Sequence, residues 1–597
     1  MKIVCIGGGP SGLYLAISMK LRNPEHEIEV YERNQPGDTF GWGVVFSDQT
    51  MDNLQANDPV SAKSMEDELI HWDYIDIKIR GQVERSGGHG FIGIGRKRML
   101  QILSDRAAEL GVNQHYAQEI ELTDLDQFAD ADLIVAADGL NSKVRNSDLQ
   151  GFDCDIEMRP NKFVWLGTKC RFDDAFTFIF EETEHGWVWA HCYQFDKELS
   201  TFIVECSPET YDAFGFENMS HDESAETCRQ IFASHLKGES LMTNSSHVRG
   251  SAWINFPRVL CHNWVKDNLV LIGDAAHTAH FSIGSGTKLG FEDAISLAKH
   301  LNSGDDVKQA LKTYQDEREL EALKLQSAAR NSMTWFEEID RYLDFDLKQF
   351  TYTLLTRSQR VSHESLRLRD KNWLESLEKD FAVKSGSAEA SASSKQSLPP
   401  MFTPFQLRDL HLKNRIVVSP MSMYSSIDGL VDDWHLVHYG ALAKGGAGLV
   451  YTEMTNISAQ GRITPGCAGI WNDEQAAGWQ RIVQFVHQHT DSKICIQLGH
   501  SGPKGATKLP WESSQSDEPL DEKASWEIIG PSATPYSSIN QIPKAMSRED
   551  MIQIVDDYVA AAQRAESAGF DMLELHYAHG YLISAFITPV LNKRTDE

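Results

Sequence analysis

The sequence predicts a mixed α/β protein in two parts, and three observations carry that prediction. A glycine-rich turn, Gly7-Gly8-Gly9-Pro10-Ser11-Gly12, stands between an apolar strand pattern and an apolar helix pattern. Between residues 162 and 206, four alternating, aromatic-rich segments read as an antiparallel sheet. The stretch KSGSAEASASSKQSLPP (384–400) has almost no large apolar residue. Such a segment buries too little surface to offset its chain entropy, so a flexible linker is expected over 381–401. Strand and helix patterns then alternate from residue 402 onward.

The opening strand (2–7), helix (11–22) and second strand EIEVYER (27–33) form a βαβ unit. In it Gly7 permits a tight turn, Gly9 lets backbone approach a pyrophosphate, and Gly12 lets helix and strand pack closely. The helix start offers unpaired N–H groups to the phosphates, and Glu32 is placed to accept from an adenosine ribose. A Rossmann-like dinucleotide-binding domain is therefore expected. Further buried-strand patterns occur at 131–139 and 267–277, so the antiparallel sheet reads as an insertion over about 151–265. It is either the wall of a substrate pocket or an edge extension without a site. Trp165, Trp187 and Trp189 suit a pocket lining or ordinary sheet packing. Residues 307–348 read as a packed helix pair without a catalytic role.

Bulk properties exclude several classes. A formal charge of −30 argues against nucleic acid, although a local triplet such as Arg96-Lys97-Arg98 still suits an anionic small substrate. Nine cysteines, never spaced as CxxC, fit neither a disulfide framework nor a zinc site, so no metal and a cytoplasmic location are expected. No apolar run is long enough to span a membrane, and the chain passes straight into a strand without signal-peptide features.

Asp138-Gly139 and Gly273-Asp274-Ala275-Ala276-His277 resemble the second and third fingerprints of the p-hydroxybenzoate hydroxylase class of flavin monooxygenases. The resemblance implies FAD, with Asp274 holding the flavin ribitol and Gly284 and Gly286 letting backbone approach the ring. It also assigns Arg96 a cofactor contact and NADH or NADPH a transient role as reductant. One oxygen atom of O2 would pass to an electron-rich ring carbon in a closed pocket. Where that class usually has Pro-Pro, this chain reads His280-Phe281-Ser282, and Lys288 stands where an asparagine is common. HTAHFSIGSGTKL, with GWGVVFSD at 41–48, is similar to the branch acting on aryl-CoA thioesters. His280 either lines the ring-binding face or is a packed histidine.

The segments LKNRIVVSPMSMYSSIDG, GGAGLVYTEMTNISAQGRITP, ICIQLGHSGPKG and AGFDMLELHYAHGYLISAFITPVLNKRTD resemble the Old Yellow Enzyme family. They imply strands one to four of an eight-stranded βα barrel, with helices near 473–490 and 548–567. By that resemblance His576 and His579 bind a substrate oxygen, and Tyr424 and Tyr581 face the same pocket. Gln497, Pro420 and Met421 would contact FMN, and Ser422 replaces a cysteine found in one branch. About four βα units are present, so the barrel reads as incomplete. Either the sequence is part of a longer chain or this half is inactive, and its intact motif residues favour the former. FMN is not expected to be retained by four units alone.

The fusion resembles the anthraniloyl-CoA monooxygenase and salicylyl-CoA 5-hydroxylase family. That implies hydroxylation of an aryl-CoA thioester, 2-aminobenzoyl-CoA ahead of salicylyl-CoA, followed by hydride reduction of the ring at the second flavin. The open alternatives are a free-acid phenolic hydroxylase, and a flavoprotein oxidase or reductase with the barrel as an interaction module. Partners would be the thioester and O2, with neither nucleic acid nor membrane; homologous hydroxylases allow a homodimer.

Overall fold

The computed structural model describes residues 1–597 except 40, 121, 173, 244–252, 305, 388–396 and 597. Two compact units divide the chain, Met1–Leu374 and Glu375–Glu597.

In the first unit, strand Lys2–Ile6 lies at the centre of a six-stranded sheet, paired in parallel with Glu27–Glu32 on one side and Leu133–Ala136 on the other. Asn113–Tyr116 extends one edge; Leu269–Leu271 and the antiparallel Val265–Lys266 extend the other. Ile3, Val4 and Cys5 are fully buried, as expected of a parallel strand covered on both faces. Helix Pro10–Arg22 covers one face, buried from Gly12 to Met19, with proline at its first position where no N–H is needed.

The larger sheet has eight strands, in the order Leu241–Met242, Cys154–Thr168, Ser200–Cys206, Gly186–Gln194, Ala175–Thr183, Tyr74–Ile79 and Gln82–Ser86; Ile254–Cys261 also pairs with Cys154–Thr168. This corrects the boundaries read from sequence. Two strands come from residues 74–86, ahead of the insertion, and Tyr74–Ile79 pairs in parallel with Ala175–Thr183, so the sheet is not wholly antiparallel. YIDIKI is buried at most of its positions, which a purely edge strand would not be. The expected helix pair at 307–348 is instead one 31-residue helix, Val307–Glu337, followed by a 3-10 turn and helix Leu347–Thr356. Asp306 caps the long helix by accepting from the Gln309 N–H. Tyr314, Trp335 and Phe336 fix its buried stripe.

The second unit contains four parallel strands, Val417–Val418, Leu449–Asn456, Lys493–Gly499 and Met572–Leu575, in sequence order. Helices Asp433–Lys444, Asp473–His489 and Arg548–Ala568 lie between them in sequence. Their N-termini are capped by Asp432, Asn472 and Ser547. Val450, Ile494, Ile496, Trp479 and Ile482 make the core of this unit. Leu573 and Leu575 on the fourth strand, and Ile552 and Val555 on the last long helix, are exposed. Helix Lys371–Lys384 takes in residues 381–384 of the expected linker, and Pro400–Phe402 is a 3-10 turn. The linker's middle, 388–396, lies outside the described residues.

Candidate functional site

The first unit has a cavity of about 320 Å³ lined by Gly7, Gly9, Glu32, Arg96, Asp138, Gly139 and Asp274. The structure thus brings together seven of the residues singled out in this unit. Gly9 caps the first helix with no side-chain hydrogen bond, and a Cβ added there meets open space. Backbone N–H groups of that first turn are therefore open to an anion. Glu32 accepts from the Gly8 N–H (2.9 Å) and from both nitrogens of Asn34 (2.8 Å each). Asp138 accepts from the Lys143 N–H at 2.8 Å through Oδ2, while its Oδ1 is buried without a partner among the described residues. A buried, unpaired acceptor beside a polar cavity suits a hydroxyl-bearing ligand. Burial pushes the Asp138 carboxyl up, against the hydrogen bonds that hold it. Arg96 reaches Thr39 at 3.0 Å and opens the helix Arg96–Glu109. The residues present fit a flavin dinucleotide.

Gly12 does not line the cavity; it sets the approach of helix and turn. A Cβ there would stand 2.1 Å from the Gly7 carbonyl oxygen, and one on Gly7 would stand 2.2 Å from that of Ala137. Gly12→Ala is expected to destabilise the unit by about 1–3 kcal/mol through overpacking and to lower bound flavin, read by thermal unfolding and flavin content.

Gly273 lies at φ +60 and Gly284 at φ +62, both in the left-handed region, while Gly286 starts helix Gly286–Leu301. None of the three lines the cavity. Their turn is held from below by groups that the sequence reading left without a role. Asp293 accepts from the Gly273 N–H (3.0 Å), His277 Nε2 (2.8 Å) and Arg318 Nε (2.9 Å), and all three side chains are buried. Against the penalty of burial, His277 and Arg318 hold the Asp293 carboxyl down at about 2. Arg145 ties the second fingerprint to the third, donating to the carbonyls of Leu140 (2.7 Å) and Ala275 (3.3 Å).

His280 is absent from that cavity's lining. It is buried, tilted against Phe281 (4.0 Å between centroids), and its Nδ1 accepts from the Ser282 N–H at 3.2 Å. Burial lowers it to about 3, so it is neutral. Phe281 also meets His191 edge-on at 5.4 Å. His191 and Glu205 form a buried pair on neighbouring strands, 3.1 Å apart, and Asn161 donates to the other Glu205 oxygen at 2.8 Å. Phe178 and Phe336 complete the wall around His191, and the Arg357 guanidinium lies over both their faces. Burial raises the Glu205 carboxyl, but the hydrogen bonds from His191 and Asn161 work against it and the net shift is downward. Burial lowers His191, with Glu205 opposing. A neutral His191 then donates from Nε2 to the carboxylate, which fixes the tautomer and leaves Nδ1 as an acceptor. That Nδ1 is buried and unpaired among the described residues. An orphaned acceptor and a buried carboxylate inside an aromatic shell make this a candidate site, although neither residue lines the cavity above or that of the second unit. Of the three tryptophans, Trp189 is buried against Phe336, and Trp187 lies beneath Arg80.

In the second unit Pro420, Gln497, Glu574, His576 and His579 line a cavity of about 380 Å³. His576 Nδ1 accepts from the Ala578 N–H at 3.2 Å, so the neutral ring carries its proton on Nε2 and can donate to an oxygen. The Tyr581 ring meets His576 at 5.0 Å and His579 at 5.8 Å, both edge-on, and shares an apolar cluster with Tyr424. Met421 is exposed and not part of the lining. Tyr424 (φ 51) and His579 (φ 61) both sit in the left-handed region, strain that clusters at functional positions.

Behind Tyr424, buried Glu453 accepts from the Met423 N–H at 3.2 Å, and Tyr439 Oη and His435 Nε2 lie 3.5 and 3.6 Å from its other oxygen. Burial raises Glu453 from 4.5 to about 7. Its contribution to stability is therefore full below the ordinary carboxylate range and is lost as pH rises through about 7. Glu453→Gln is expected to remove about 3 kcal/mol of that pH dependence, read from urea unfolding at acidic and alkaline pH.

Residues 1–329 match the family described as FAD binding domain, and residues 400–597 match the NADH:flavin oxidoreductase / NADH oxidase family. A salicyloyl-CoA 5-hydroxylase of a Streptomyces species is 38% identical over 390 residues, covering 63% of this chain and 73% of that protein. The chain belongs to the FAD-binding family of flavin-dependent monooxygenases. A second relative of this flavin monooxygenase, a 3-hydroxy-4-methyl-anthranilyl-[aryl-carrier protein] 5-monooxygenase of Streptosporangium sibiricum, is 31% identical over 61% of the chain and 97% of that protein. The second unit is similar to an NADPH dehydrogenase of Bacillus cytotoxicus, 44% identical over 33% of the chain. There this flavin monooxygenase spans about half the relative's length, 52%. It is an oxidoreductase with an FAD-dependent aromatic monooxygenase unit and an FMN-type second domain. Among the described residues no helix is long and apolar enough to cross a membrane.

Proposed function

We propose that the protein hydroxylates an aryl-CoA thioester, 2-aminobenzoyl-CoA first, using FAD, NADH and O2, and that its FMN-type domain serves a following ring reduction. The observation that carries this reading is the joining, in one chain, of a unit 38% identical to a salicyloyl-CoA 5-hydroxylase with a reductase-like unit bearing the His576/His579 pair. Bound FAD supplies the capacity to place one atom of O2 on an electron-rich ring. Gly7, Gly9 and the first helix would hold its pyrophosphate, Glu32 its ribose, and Asp138, Asp274 and Arg96 the cavity side of the cofactor. The buried aromatic shell excludes water, and His191 Nδ1 accepts from a ring amine or hydroxyl. In the second unit His576 Nε2 and His579 would donate to the substrate oxygen, while Gln497 and Pro420 would border FMN. Holding both sites in one chain raises the effective concentration of a released intermediate.

Salicyloyl-CoA is the second reading, favoured by the 38% identical relative. The test supplies the purified chain with FAD, NADH and O2, and with 2-aminobenzoyl-CoA, salicyloyl-CoA or the free acids, and reads product masses. A thioester heavier by one oxygen is the expected result, and a further gain of two hydrogens reports the second domain. Reaction of the free acids alone removes the CoA assignment, and NADH consumption yielding peroxide alone makes the protein an oxidase.

A further inference from the structure

We infer that Cys154 and Cys261 form an oxidisable dithiol, closing to a disulfide under hydrogen peroxide at the neck where the chain segment 154–261 of the large sheet leaves and rejoins the nucleotide-binding domain. Cys154 opens strand Cys154–Thr168 and Cys261 ends strand Ile254–Cys261, and the two are register partners in that antiparallel pair. Neither donates its N–H across the pair. Cys154 N–H goes to the Leu149 carbonyl (3.0 Å) and Cys261 N–H to the Ala276 carbonyl (2.9 Å). They are therefore a non-hydrogen-bonded pair, whose Cα atoms lie about 4.5 Å apart in such ladders. That separation falls within the range of about 4.4–6.8 Å a disulfide requires. The sulfurs already face each other at 2.7 Å.

Access and chemistry agree. Of the nine cysteines, Cys154 alone is not fully buried, so it is the sulfur an oxidant meets, and Cys261 is the buried resolving partner. The Cys154 sulfur attacks a peroxide oxygen as thiolate, giving a sulfenic acid and hydroxide. Cys261 then attacks that sulfur, the S–S bond forms and a second hydroxide leaves. With the two thiol protons the balance is two thiols plus one hydrogen peroxide giving one disulfide and two waters. Burial raises both thiols, so closure is slow at neutral pH and quickens with alkalinity. Peroxide is the oxidant at hand, because a reduced flavin that meets O2 without hydroxylating releases it.

The position gives the bond a consequence. Cys261 Sγ lies 4.0 Å from the Ala275 carbonyl, on the turn that carries Asp274 to the cavity, and Leu260 bridges His277. A disulfide there staples the first and last strands of the 154–261 segment, the two cysteines being 107 residues apart in sequence, beneath that turn. Long closed loops give the larger entropic stabilisation.

The test exposes the FAD-loaded full chain to hydrogen peroxide, blocks free thiols and maps peptides without reduction. A crosslinked peptide joining Cys154 to Cys261 is expected, with free thiols falling from the nine in the sequence by that pair. Thermal unfolding of the first unit should rise by about 5 °C and return on adding dithiothreitol. Cys154→Ser and Cys261→Ser should each abolish crosslink and shift. Over-oxidation of Cys154 without the crosslinked peptide overturns the proposal, and this reading on the unmodified chain needs no variant to fold. A crosslink with no change in unfolding would refute the staple.

Discussion

Asp293→Ala is expected to destabilise the first unit by about 3–5 kcal/mol, the range for breaking a buried ion pair from one side. The carboxylate is the common acceptor for His277, Arg318 and the Gly273 N–H, and its removal leaves the Arg318 guanidinium and a backbone donor buried without that partner. Two carbonyls in the 273–276 turn are also held by Arg145, but among the described residues the turn's first N–H has only Asp293 as its acceptor. The turn carries Asp274 to the cavity, so the substitution should also release flavin. Thermal unfolding followed by flavin fluorescence reads both at once. Asp293→Asn keeps the volume and one acceptor and should fall between. The pH sign is the reverse of that for Glu453. A carboxyl held at about 2 contributes stability that is present above its ordinary 3.8 and is lost as pH falls through about 2. The wild-type unit should therefore lose more stability on acidification than Asp293→Asn. A variant with wild-type unfolding and full flavin would mean that the network is dispensable.

Asp293 stands within a segment, GSGTKLGFEDA, whose glycines were legible, yet its own role was not. The difference is physical. Gly7, Gly9 and Gly12 act through local backbone geometry, which a strand–turn–helix pattern encodes within a dozen residues. The Asp293 network closes only when a helix at 286–301 and another at 307–337 pack, bringing Arg318 across. Strands Tyr74–Ile79 and Gln82–Ser86 were missed for a similar reason: their place beside Ala175–Thr183 is a long-range pairing without a turn to announce it. In the second unit the four strands followed their motifs closely, since each βα unit repeats locally. Glu453 was not legible, because its partners at Met423, Tyr439 and His435 come from other segments. Cysteine number and spacing argued only against a disulfide framework and a zinc site, and they concealed a facing pair that strand register exposes.

Register also decides the last expected result. His191 lies opposite Ile203 and Glu205 opposite Trp189, so the two are diagonal neighbours on one face, and neither sequence position suggests the other. His191→Phe is expected to lower kcat/KM for ring hydroxylation roughly 100-fold while NADH oxidation continues, now yielding peroxide. The phenyl ring fits an aromatic wall of Phe178, Phe281 and Phe336, but the change removes both the Nδ1 acceptor and the Nε2–H that serves buried Glu205. Stability therefore falls along with coupling, and the coupling is the diagnostic readout. A ring amine or hydroxyl that cannot donate there loses both its orientation and the electron density that the hydrogen bond pushes toward the reacting carbon. Glu205→Gln still accepts from Nε2–H and keeps the tautomer, so it should cost far less than Glu205→Leu, which frees the ring to present either nitrogen. Merely structural roles would instead lower stability in all three variants with unchanged coupling between NADH consumed and product formed. Because burial keeps His191 below its ordinary value, the acceptor persists further into acid than a free imidazole would, and coupling should hold on mild acidification from neutral pH.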